Sequence, residues 1–161
     1  MGPHYDTSGV EATYGHISNW DVSNITDMQN LFPGNSEFNQ PLNNWDVSKV
    51  TNMTSMFYKS KHFNQNIGAW DVSKVTDMYQ MFCEAEDFDN GSVNDLSSWN
   101  VSKVKNISRM FRRAYEFNRD ISSWDISSVT NGNFWNYGQS TTNHHDSDFT
   151  ASDIAYFTGP I

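Results

Sequence analysis

Apolar positions in this chain return on a fixed schedule. Trp20, Trp45, Trp70, Trp99 and Trp124 are spaced 25, 25, 29 and 25 residues apart, and each opens the same phrase. The phrases are WDVSNITDMQNLF, WDVSKVTNMTSMF, WDVSKVTDMYQMF, WNVSKVKNISRMF and a fading WDISSVTNGNFWN. A period of roughly 20–50 residues predicts a solenoid, in which each unit buries its apolar face only against its neighbours. Three residues before each Trp stand Ile17, Leu42, Ile67, Leu96 and Ile121; two residues after it stand Val22, Val47, Val72, Val101 and Ile126. This apolar-x-x-Trp-x-Val unit has the spacing of a leucine-rich-repeat strand, with Trp and Val pointing inward. Then come Ile25, Val50, Val75, Val104 and Val129, the row Met28, Met53, Met78 and Ile107, and the pairs Leu31-Phe32, Met56-Phe57, Met81-Phe82 and Met110-Phe111. Steps of three and four place these on one face of a short α or 3-10 segment. The predicted fold class is therefore a repeat solenoid: a right-handed, leucine-rich-repeat-like coil of about five turns, with a short parallel sheet on one side and short α/3-10 segments on the other.

Phe38, Phe63, Phe88 and Phe117 close the return turn of each unit. They are followed by Asn39-Gln40, Asn64-Gln65, Asp89-Asn90 and Asn118-Arg119, whose side chains are expected to satisfy backbone groups that no regular ladder reaches. Residues 1–16 are expected to form an N-terminal cap, 17–137 the repeat solenoid and 138–161 a C-terminal tail or cap. Past Val129 the pattern loosens: Gly132 and Asn136 stand at Met and Phe positions, while Phe134, Trp135 and Tyr137 supply bulk for a capping turn. The extra residues around Gly91-Ser92-Val93-Asn94 are expected to bulge outward, since they cannot enter the stack without breaking its register.

Composition narrows the function classes. The chain has 161 residues, 37% apolar and 15% aromatic, so its core uses fewer and larger side chains. A formal net charge of −9 argues against a nucleic-acid or anionic-membrane surface. No stretch approaches the ~20 apolar residues of a membrane span, and no signal peptide is visible; any signal or anchor is expected outside this chain. Cys83 is the single cysteine and suits a core slot, leaving no intrachain disulfide and no thiolate-rich metal site.

Candidate chemistry is sparse. His144-His145 with Asp146 and Asp148 could hold a metal, but adjacent histidines in a polar, breaker-rich segment fit a solvated linker better, so no metal site is assigned. Asn24-Ile-Thr, Asn52-Met-Thr, Asn100-Val-Ser and Asn106-Ile-Ser match the glycosylation pattern, as chance alone would supply in so Asn-, Ser- and Thr-rich a chain. No nucleophile–base arrangement and no phosphate loop is legible, so no catalytic residue and no cofactor is expected. The strongest surface signal is the residue between each inward Trp and Val: Asp21, Asp46, Asp71, Asn100 and Asp125. Adjacent strands ~4.8 Å apart would turn these into a column of carboxylates, with Lys49, Lys74 and Lys103 offsetting the repulsion. The alternative, favoured because the residues recur in every unit, is that Asp and the following Ser bond backbone groups at a turn. Opposite charges in adjacent units (Lys59, Glu84, then Arg112 and Arg113; Lys61 over Glu86) should favour this stacking order.

The phrase resembles the BspA-type leucine-rich-repeat surface proteins, especially the mycoplasma-type repeat of unknown function within that group. The W-D-V-S-x-V-T-x-M-x-x-M-F blocks carry the resemblance, together with returns such as Phe63-Asn64-Gln65-Asn66-Ile67-Gly68-Ala69-Trp70. It implies an extracellular or cell-surface protein, often associated with adhesion, and brings no catalytic residues with it. The expected function is a noncatalytic, adhesin-like binding module for a protein or glycan, with no nucleic-acid partner and no direct membrane insertion. The alternative is a structural subunit of a fibre or homo-oligomer, assembling through its ends or flanks. A ligand needs a locally distinct patch, and the pattern breaks most sharply in the third and fourth units. Arg112, Arg113, Gly91 and Asn100, with the column Asp21, Asp46 and Asp71, are therefore the candidate binding residues.

Overall fold

The computed structural model describes residues 8–92, 96–119 and 121–131. Trp135, the His144-His145 pair and the proposed C-terminal cap lie outside the described residues.

The leucine-rich-repeat-like solenoid expected from the spacing is not what forms. Among the described residues there is one α-helix, α1 (Ser8–Tyr14), and two 3-10 turns, Ile17–Asn19 and Asn90–Ser92; there is no strand and hence no parallel sheet. The segments from Met28, Met53, Met78 and Ile107 onward, expected to be α or 3-10, are turns. Helix α1 ends at Gly15, whose φ of 72° lets its N–H close back on the Glu11 carbonyl at 2.9 Å, a left-handed helix stop.

Successive repeats are joined instead by single bridges. Asp27, Asn52, Asp77, Asn106 and Asn131 pair in parallel, each with the next, seven residues past the Trp rather than beside it. Here the Thr51 N–H donates to the Thr26 carbonyl (2.8 Å) and the Met28 N–H to the Asn52 carbonyl (2.9 Å), and the arrangement recurs down the chain. Beyond the bridge, N–H groups alternate in destination. Met53, Ser55, Phe57 and Lys59 donate to Asp77, Tyr79, Met81 and Cys83 of the next repeat, at 2.8–2.9 Å. Between them, Met56, Tyr58 and Ser60 donate three residues back within their own repeat, at 3.0–3.2 Å. A helix cannot result because every second N–H leaves the repeat, and a strand cannot because the N–H groups between them close turns through left-handed backbone at Ser55 and Lys59.

This alternation needs left-handed backbone at two places per repeat. Positive φ falls at Asn30, Ser55, Gln80 and Arg109, and again at Gly34, Lys59, Glu84 and Arg113. The pattern of apolar residues carries no mark of that requirement; only Gly34 and Asn30 are residue types that favour it.

Inside, the repeat produces ladders of aromatic rings. Phe32, Phe57, Phe82 and Phe111 stack at 5.5–5.6 Å between centroids. Phe38, Phe63, Phe88 and Phe117 stack at 5.9–6.0 Å. The two columns face each other at 3.8–3.9 Å within each repeat. The Val, Met and Trp rows predicted as core are buried in the inner repeats, and Cys83 is fully buried among them. Each inner Trp also makes a directed bond: Nε1 of Trp45, Trp70, Trp99 and Trp124 donates to the carbonyl of Ile17, Leu42, Ile67 and Leu96 in the preceding repeat. Trp20 Nε1 donates instead to the carbonyls of Tyr14 and Gly15 at the end of α1.

Candidate functional site

The column Asp21, Asp46, Asp71, Asn100 and Asp125 is exposed in every repeat. In each case Oδ1 accepts the backbone N–H two residues on, from Ser23, Ser48, Ser73, Ser102 and Ser127, at 3.0–3.2 Å. These bonds open the turn that brings Ile25 N–H back to Val22 carbonyl, and likewise in the later repeats. The Ser hydroxyls and N–H groups hold the carboxyls of Asp21, Asp46, Asp71 and Asp125 below their ordinary range. Lys49 and Lys74 add a smaller favourable field on Asp46, and Lys49 Nζ also donates to Asn24 Oδ1 at 2.8 Å. The column is thus a charged surface feature and a turn device at once.

A second set of Asx turns sits at the bridges. Asp27, Asn52, Asp77 and Asn106 accept from Gln29, Thr54, Tyr79 and Ser108 N–H at 2.8–3.1 Å. Beside them Thr26, Thr51, Thr76, Lys105 and Thr130 form an exposed column, and Thr51, Thr76 and Thr130 hydroxyls donate to the carbonyl of the preceding member.

Positive charge in the second and fourth repeats meets acids of the third, which lies between them. Arg113 lies 3.7 Å from Glu84, Lys61 2.9 Å from Glu86, and His62 2.8 Å from Asp87. Of the order expected from Lys59, Glu84, Arg112 and Arg113, the Glu84–Arg113 pair forms, and Lys61 lies over Glu86 as expected. Arg112 lies beside the Cys83 thiol, which burial pushes up. Arg119 is bidentate to Asp89: Nε donates to Oδ1 at 2.7 Å and Nη2 pairs with Oδ2. Gln65 makes the equivalent reach to Asn39, donating from Nε2 to its carbonyl and to Oδ1. An amide pair in one repeat thus becomes an ion pair two repeats later.

Gly91 is not on an outward bulge. Its N–H donates to Asn64 Oδ1 at 2.8 Å, and a Cβ there would stand 3.0 Å from the Asn66 backbone nitrogen. Asn90, just before it, is tied to the preceding repeat as well: its Oδ1 accepts the Ile67 N–H at 2.8 Å. Residues 93–95 lie outside the described residues. The structure therefore separates the predicted site residues. Asp21, Asp46, Asp71 and Asn100 share one column, Arg112 and Arg113 lie on the Cys83–Glu84 side, and Gly91 lies beside Asn64 and Asn66. Among the described residues no group of three His, Cys, Asp or Glu side chains could hold a metal ion. No helix among them is long and apolar enough to cross a membrane.

The family described as "Mycoplasma protein of unknown function, DUF285" matches residues 5–94 and 92–149. The chain belongs to that family. No curated protein and no solved structure matches it.

Proposed function

We propose that this protein is a noncatalytic, surface-exposed binding module of adhesin-like type, acting outside the cell or at its surface on a protein or glycan. The observation that carries the reading is the register of its exposed side chains. Asp21, Asp46, Asp71, Asn100 and Asp125, with Lys49, Lys74 and Lys103 three residues past Asp46, Asp71 and Asn100, recur at equivalent positions of repeats that backbone bridges hold in step. Identical polar groups on a fixed frame offer an extended or repetitive ligand several weak contacts at once, which multiply into useful affinity. The likeness of its phrase to that of BspA-type surface proteins is what supports the surface location. Within this reading Asp21, Asp46, Asp71, Asn100, Gly91, Arg112 and Arg113 are the residues proposed to contribute to binding. The test is a screen of the full chain against arrays of glycans and extracellular proteins, repeated with Asp46→Asn/Asp71→Asn. A specific binder lost in the variant supports the reading. No binder in either array, or a binder indifferent to the column, overturns it.

A further inference from the structure

Inner repeats hide what the first repeat shows. Val50, Val75 and Val104 are fully buried, as are Met56, Met81 and Met110, yet the equivalent Ile25 and Leu31 are 42% and 43% exposed. Trp20 is 39% exposed where Trp45, Trp70 and Trp99 are 3–5% exposed. The backbone is open along the same edge. In the second repeat the carbonyls of Asn52, Thr54, Met56 and Tyr58 accept the N–H groups of Met28, Asn30, Phe32 and Gly34. The equivalent carbonyls of the first repeat belong to Asp27, Gln29, Leu31 and Pro33, and these accept no hydrogen bond from any described residue. Four acceptors on alternate residues beside an apolar strip form an edge suited to pairing with another polypeptide.

The edge also selects its occupant. Two such edges match each other poorly, since from Asp27 to Pro33 each offers four acceptors and the nearest donor on it is the Thr26 N–H; the occupant has to bring donors at those alternate positions. Charge selects further, because residues 8–48 contain Glu11, Asp21, Asp27, Glu37 and Asp46 but no Lys or Arg. A basic segment is drawn to this end and an acidic one repelled. The fourth repeat shows what a matching segment is: Trp99 to Tyr115 carries Lys103, Lys105, Arg109, Arg112 and Arg113 without an acid. A second copy cannot present that repeat, because residues 121–131 already lie on its open side, with Ile107 N–H bound to the Asn131 carbonyl at 3.1 Å.

We propose that the N-terminal edge of the first repeat docks a basic repeat segment of this same motif carried by a different polypeptide. The segment takes the place that an additional repeat would occupy: its alternate N–H groups bind the carbonyls of Asp27, Gln29, Leu31 and Pro33, and its apolar side chains cover Trp20, Ile25 and Leu31. The contact runs through the backbone and one end of the core, so it stands independently of any ligand bound on the Asp column.

A synthetic peptide of residues 99–117 is the probe, titrated into the full chain and followed by fluorescence anisotropy. One-to-one binding is expected, weakened at least about tenfold when Arg109 and Phe111 of the peptide are N-methylated, which removes two donors and keeps the charge. The chain variant Ile25→Lys/Leu31→Lys should weaken it comparably; both positions are exposed, so an unchanged melting temperature is the control. No binding, equal binding of the N-methylated peptide, or equal binding of a scrambled peptide overturns the proposal. So does sedimentation showing that the chain alone forms a dimer that Ile25→Lys/Leu31→Lys dissociates, since the occupant would then be a second copy.

Discussion

Single residues carry the strain that lets this backbone alternate between its own repeat and the next. Gln80 sits at φ 54° and Gly34 at φ 70°, in the region where an L side chain costs about 1–2 kcal/mol. Nothing stands within 4 Å of a Cβ built on Gly34, so Gly34→Ala isolates the backbone cost and should destabilise by about 1 kcal/mol in urea unfolding. Gln80→Gly should act in the opposite sense. It relieves the strain but loses about 0.5–1 kcal/mol of chain entropy, for a net gain of roughly 0–1.5 kcal/mol. A clear loss would mean that the Gln80 side chain, rather than its φ, matters at that position. His62 gives a pH dependence of known sign. Its bond to Asp87 raises its pKa above the ordinary value of about 6.5. Because the folded value is the raised one, the contribution is fully present below the unfolded pKa and is lost as pH rises through the folded pKa. His62→Gln should therefore narrow the stability difference between pH 5.5 and 8 (values chosen about one unit or more either side of the ordinary pKa). An unchanged difference would remove His62 from the account. The four lowered aspartates act oppositely: their contribution is present above the unfolded pKa and is lost as pH falls through the folded one.

At the scale of the repeat, two devices set register. One is the Trp peg, which both fills the core and ties its Nε1 to the preceding repeat. Trp70→Phe would take one of two donors from the Leu42 carbonyl, which keeps the Trp45 N–H, and open space behind the ring, costing at least about 2 kcal/mol. Trp20→Phe should cost clearly less, since Trp20 is 39% exposed and stacks under no earlier repeat. Equal losses would show that the peg is generic hydrophobic burial. The other device is the reach-back pair, Gln65 to Asn39 in one place and Arg119 to Asp89 in another. Arg119→Gln alone leaves the partly buried Asp89 carboxylate with the Asn118 N–H but without its cation, and should cost about 1–3 kcal/mol. Adding Asp89→Asn rebuilds the amide pair and should recover most of that loss. Additive costs in the double variant would deny that the two positions act as a unit.

For the whole molecule, stability is distributed along a line of nearest-neighbour contacts, so the open first repeat should loosen before the centre. Native-state hydrogen exchange should find the Met28 and Asn30 amides less protected than those of Phe57 and Phe82, although all four bond to a following repeat. Uniform protection would mean that the array unfolds as one cooperative block. The cationic cluster is also a matter of the whole assembly. Arg113 and Arg119 bind acids of earlier repeats, so Arg112→Ala/Arg113→Ala should lower the melting temperature. If a partner is found and its affinity is unchanged in that variant, the two arginines serve packing rather than recognition.

The repeat in the sequence determined which residues are interior. The Val, Met, Phe and Trp rows, the stacking of Lys61 on Glu86, and the backbone role of side chains such as Asn39, Asn64 and Asp89 all follow from positions that recur. Once every unit buries the same face, equivalent residues must adjoin. The sequence did not determine the backbone that carries those rows. Strand, helix and turn differ in where each N–H finds its acceptor, and here the acceptor of Ser55 or Phe57 is 24 residues away. No local pattern records a partner at that distance. The sign of φ is equally hidden, since Ser, Gln, Lys, Glu and Arg occupy left-handed positions that glycine would have announced. Tertiary structure alone placed Gly91 against Asn66, tied Arg119 to Asp89, and left the first repeat with a row of carbonyls that no described residue binds. Each of these depends on which neighbour is present across the gap between repeats, and that is settled only when the repeats come together.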